Sequence, residues 1–83
     1  MTICIEKLSK ENGTTFLQGT ANTKTGSVFI GRHSISVCAH NAAAAVKRNL
    51  GGKVFFSRES ALAGYKSSEM KALIQAAFDA HDG

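Results

Sequence analysis

Five side chains in this 83-residue chain have the chemistry of metal ligands or nucleophilic pairs: Cys4, Cys38, His33, His40 and His81. Zinc sites draw their donors from C-x-x-C or H-x-x-x-H pairs, which present two ligands to one ion. No such pair occurs, and Cys38 and His40 are two positions apart. On a strand that spacing shares a face, so a small site there is the one metal option. The simpler reading makes His33 a loop residue and His40 the residue just ahead of a helix. Cys38 or Ser34 can be drawn beside His33 or His40 as a dyad, but strand alternation sends sequence neighbours to opposite faces. The six carboxylates (Glu6, Glu11, Glu59, Glu69, Asp79 and Asp82) offer no paired seat for acid–base work. Gly51-Gly52-Lys53 follows an expected helix, whereas a phosphate loop opens one. The expectation is a non-enzymatic protein with no catalytic residue, no metal and no cofactor.

Charge is the stronger signal. The net charge is +4, and no acid occurs between Glu11 and Glu59. Lys24, Arg32, Lys47, Arg48, Lys53 and Arg58 all fall in that interval. A basic middle with acids toward the ends favours a polyanion or an acidic protein surface as partner. Phe29, Phe55, Phe56 and Tyr65 would add base stacking if exposed. No ribonucleoprotein-type aromatic motif, GXXG loop or helix-turn-helix spacing accompanies them.

The elements that must position these residues follow from pattern and punctuation. Residues 2–8 alternate, with Ile3 and Ile5 on one side and Cys4, Glu6 and Leu8 on the other. Asn12-Gly13 is a hairpin signal, because both residues tolerate positive φ. Residues 15–20 are the return strand, and residues 21–27 ("ANTKTGS") are a polar turn with Gly26 near its end. In 27–38, Gly31 either bends one long strand or separates two, with Arg32 and His33 exposed at the break and Ile35, Val37 and Ala39 on one face. Asn41 and Gly51 punctuate a helix over 42–50, whose apolar stripe leaves Lys47 and Arg48 on the opposite face. Residues 53–57 form another strand, and Ser57 and Gly64 bound a short helical turn. Ser67 caps a last helix whose buried face is Met70, Leu73, Ile74, Ala77 and Phe78.

This order, β-β-β-α-β-α, predicts an α+β fold: a mostly antiparallel sheet of three to five strands with two main helices on one face. At 83 residues it is read as a single domain, 1–83. No run of about 18 apolar residues suggests a membrane span. The polar N-terminal stretch and the two widely spaced cysteines point to a cytoplasmic chain with reduced thiols. Monomer and dimer both remain open, the latter through an exposed edge strand such as 15–20.

The segment "SVCAHNAAAAVKRNLGGKVFFS" (36–57) resembles strand–helix–strand units of anti-CRISPR proteins, small proteins of phages and mobile elements. Many of those are acidic nucleic-acid mimics; this chain is basic, which counts against DNA mimicry. The resemblance implies a stoichiometric blocker that occupies a recognition surface of a CRISPR effector complex in a bacterial host. Lys47, Arg48, Lys53 and Arg58 are then the first contact candidates, with Lys24 and Arg32 second. The alternative is a small basic nucleic-acid-binding or regulatory protein. Salt separates the two, since phosphate contacts weaken steeply with ionic strength.

Overall fold

The computed structural model describes residues 2–40 and 49–83. Five strands, β1 (Ile3–Glu11), β2 (Thr14–Ala21), β3 (Lys24–Ile30), β4 (Ile35–His40) and β5 (Asn49–Phe55), precede two helices, α1 (Arg58–Ala63) and α2 (Ser68–Asp82). The strands form one antiparallel sheet in the order β1-β2-β3-β4-β5. The α+β class expected from the sequence is therefore the observed one.

Local chemistry explains the turns. Asn12 (φ 51°) and Gly13 (φ 79°) both occupy the left-handed region and join β1 to β2, as a two-residue hairpin of this composition requires. Asn22 (φ 55°) opens the β2–β3 turn, and its side-chain oxygen accepts from the Thr2 amide at 3.2 Å. The polar turn expected over 21–27 is thus confined to Asn22 and Thr23. Gly26 is buried inside β3 instead. Gly31 separates two strands, and its amide donates to the Ser34 carbonyl at 2.8 Å.

The helix expected over 42–50 falls mostly on residues 41–48, outside the described residues. Its last two positions are corrected: Asn49 and Leu50 begin β5, with Asn49 opposite His40 and Leu50 opposite Ala39. Gly51 is accordingly a strand residue and no helix stop, and His40 ends β4. Alternation is a weak guide around Gly51-Gly52, because glycine carries no side chain to show which face it occupies. Residues 15–20 are corrected too. They lie in β2, paired on both sides, so the edge strands are β1 and β5.

One face of the sheet carries the core. Leu17, Ala21, Val28, Ile30, Ile35 and Val37 are buried there against Ala61 of α1 and against Met70, Leu73, Ile74, Ala77 and Phe78 of α2. The i, i+3, i+4 spacing of the α2 residues makes that face continuous. Ser57 caps α1, accepting from the Ser60 amide at 3.1 Å, and Ser67 caps α2, accepting from the Met70 amide at 3.2 Å. Small residues beneath α2 set how closely it approaches. A Cβ on Gly26 would lie 2.9 Å from the Met70 methyl and 3.0 Å from the Cys38 carbonyl oxygen. Gly64, past the end of α1, lies against the Phe55 ring.

Two outcomes follow from this packing. Gly26→Val should lower unfolding free energy by about 1–3 kcal/mol through overpacking under Met70; an unchanged urea midpoint would show that α2 is not seated there. The Glu69 carboxyl is held below its ordinary value of 4.5 by its own backbone N–H and by the Ser67 hydroxyl. Its stabilising contribution is present above that pH and disappears as pH falls through the lowered folded value. The melting-temperature difference between wild type and Glu69→Gln should therefore shrink between pH 6 and pH 2, and a constant difference would contradict the assignment.

Candidate interaction surface

Of the six cations singled out by charge, the four among the described residues do not converge. Lys24 stands opposite Ala21 at the start of β3, on the helix side of the sheet, close enough to Glu69 to help hold that carboxyl ionised. Lys53 of β5 faces the same side: its Nζ donates to the Gly64 carbonyl at 3.3 Å and lies 5.0 Å from the Tyr65 ring centroid. Arg58, the first residue of α1, is bound to the end of α2, 3.9 Å from Asp79 and 3.7 Å from Asp82, with its guanidinium 5.1 Å from the Phe78 ring centroid. Arg32 sits at the opposite end of the sheet from Lys24. Its Nε and Nη2 donate to the Asn12 carbonyl at 3.0 and 2.8 Å, tying the β3–β4 turn to the first hairpin. Lys47 and Arg48 lie outside the described residues.

The aromatic candidates divide in the same way. Phe55 and Tyr65 pack against the core, 6.1 Å apart between ring centroids. Burial pushes the Tyr65 phenol above its ordinary value, with the neighbouring Cys38 adding to the shift, so the hydroxyl stays protonated and donates to the Val37 carbonyl at 3.3 Å. Phe29 and Phe56 remain exposed, at 42% and 81%.

Phe29 points to the face of the sheet that no described element covers. Strand register lays a row of residues across it: Ser9, Phe16, Phe29, Ser36 and Val54, each opposite the next. Direct cross-strand neighbours are about 4.5–5.5 Å apart, so Phe16 and Phe29 adjoin, and Val54 lies two strands beyond Phe29 with Ser36 between them. Phe56 follows at the same end of the sheet. Farther along the strands, the face turns polar through Gln18, Thr20, Thr25 and Ser27. Among the described residues of β2 to β5 it carries no lysine, arginine, aspartate or glutamate; its charges are Glu6, Lys7 and Glu11 on β1. Lys24, Lys53 and Arg58 thus lie on the opposite side of the sheet from the exposed Phe29 ring.

The sequence pattern carried part of this surface. Phe29 is out of phase with the buried Val28 and Ile30, and Val54 and Phe56 are out of phase with Phe55. That signal is readable once each strand's inward face is known. Ile3, Ile5 and Leu8 were split between two faces by simple alternation, and this is corrected. Ile5 pairs with Gly19 and Lys7 with Gln18, so Glu6 is an extra residue in a β-bulge. Beyond it the phase reverses, and Leu8, opposite the buried Leu17, joins Ile3 and Ile5 on the helix side.

Among the described residues, no three His, Cys, Asp or Glu side chains gather as a cation site would need. A broadly open cleft of about 230 Å³ lies beside the first hairpin between Lys10, Thr15 and His81. Its two inner polar groups, Thr15 Oγ1 and His81 Nδ1, are bonded to one another at 2.8 Å, and the Lys10 ammonium donates to the Gly83 carbonyl at 2.8 Å. No helix among the described residues is long and apolar enough to cross a membrane. No protein-family model, curated protein or solved structure matches the chain.

Arg58 is accordingly a clamp between the two helices. Arg58→Gln should cost about 1 kcal/mol of stability, since both ion pairs are partly exposed and the ring contact adds modestly. Equilibrium urea unfolding reads this, and an unaltered midpoint would free Arg58 for a role in binding.

Proposed function

We propose that the chain is a non-enzymatic binding protein that covers a recognition surface on a partner protein, using the open sheet face around Phe29, Val54 and Phe56. The observation that carries this reading is the separation of charge from apolar surface. A nucleic-acid groove interleaves cations with its stacking rings, so that phosphates are neutralised where the bases lie. Here the exposed Phe29 ring stands with Val54 on a face whose described β2–β5 residues are uncharged, while Lys24, Lys53 and Arg58 are on the other side. An aromatic centre with a polar surround is the composition of a protein interface. The resemblance of 36–57 to anti-CRISPR proteins makes a CRISPR effector complex the partner to test, with the chain acting as a stoichiometric blocker.

The test expresses the tagged chain in a bacterium with an active CRISPR system and purifies it under nuclease treatment. Wild type should recover effector subunits in stoichiometric amount. Phe29→Ser with Phe56→Ser should lose at least about tenfold of that recovery, as expected for central apolar anchors, while melting within a few degrees of wild type. Equal recovery by both proteins would remove the open face as the binding site. Recovery of bulk nucleic acid without nuclease, and of nothing with it, would replace the reading by that of a basic nucleic-acid binder.

A further inference from the structure

The edge strand β1 presents a second, independent surface. All nine of its residues are exposed, and three are aliphatic: Ile3 (39%), Ile5 (48%) and Leu8 (48%). They share the helix side of the sheet, but α2 packs principally over β2 and β3 and leaves them largely uncovered. Charged residues and bulges on edge strands ordinarily discourage pairing with another strand. In β1 the same devices select a particular partner.

The bulge at Glu6 is the reason. A regular strand pairs with β1 only by leaving Glu6 unmatched, as β2 does. An antiparallel second copy of β1 carries the same extra residue, so the two copies can match face for face along their whole length, Glu6 included. In the register that sets Glu6 against Lys7 of the other copy, Ile5 meets Leu8 and Ile3 meets Lys10 on the helix side, while Cys4 meets Ser9 on the open side. Every pair matches a residue with one on the same face. The two-fold axis repeats each pair, so two opposite-charge contacts and two Ile5–Leu8 contacts form together.

We propose that this chain forms a two-fold dimer through antiparallel β1–β1 pairing in that register, giving one continuous ten-stranded sheet. The surface is separate from the Phe29–Val54–Phe56 patch, so the open faces of both copies stay available in the dimer.

Sedimentation equilibrium of the purified chain should give twice the 8.8 kDa monomer mass. Glu6→Lys and Lys7→Glu each place like charges opposite one another twice per dimer, and each should weaken dimerisation by at least about tenfold. The double variant Glu6→Lys with Lys7→Glu restores opposite charges and should return to within about threefold of wild type. All these side chains are exposed, and circular dichroism melts verify that each variant folds. A second measurement reads the register directly. In a Cys38→Ser background, Ser9→Cys stands opposite Cys4 of the other copy, while within one chain the two positions are about 16 Å apart along the strand and cannot bridge. Mild oxidation should yield a covalent dimer with Cys4 joined to position 9, identified by peptide mapping. A monomer at every concentration, a charge swap no better than the single reversals, or crosslinks joining only Cys4 to Cys4 would overturn the proposal.

Discussion

The close seating of α2 on β2 and β3 organises the rest of the molecule. Met70 can reach the sheet because Gly26 has no side chain, and Leu73, Ile74, Ala77 and Phe78 then fall in turn onto Leu17, Val28, Val37 and their neighbours. A 15-residue helix lies over the middle strands and can do little for the edges. That single fact leaves β1's aliphatic side chains half exposed on the helix side. It also leaves the opposite face of the sheet with no described element against it. Among the described elements, what stays uncovered on the helix side is determined by what one helix is too narrow to reach.

Electrostatics follow from the same packing. Arg58 and Lys53 are drawn to the helix side, where carboxylates at the end of α2, a carbonyl and two rings receive them. Arg32 ties two turns together through the Asn12 carbonyl. These cations are engaged in holding elements in place, and the basic middle of the chain is only partly a basic surface. Exposed pairs of this kind contribute little individually. Their effect here is to tie neighbouring elements together.

Sequence reading succeeded where a local rule suffices. Asn12-Gly13 requires only its own positive φ angles, Ser57 and Ser67 only free amides two or three residues on, and α2 only its 3.6-residue period. It failed where phase is set by a neighbour. Simple alternation put Leu8 opposite Ile3 and Ile5, because a bulge at Glu6 exists only relative to β2. Gly26 looked like turn chemistry, since the helix it accommodates begins more than 40 residues later. Asn49 and Leu50 fitted the end of a helical stripe but take strand geometry through pairing with His40 and Ala39.

The amino-acid sequence by itself determined the α+β class, the first hairpin, both helix caps and the buried face of α2. Each rests on backbone dihedrals, hydrogen bonds or periodicities confined to about a dozen residues. Only the tertiary structure decided which strands are edges, which cations are engaged and which aromatic rings face outward. Those properties belong to pairs of residues distant in the chain, and no local pattern encodes the register that brings them together.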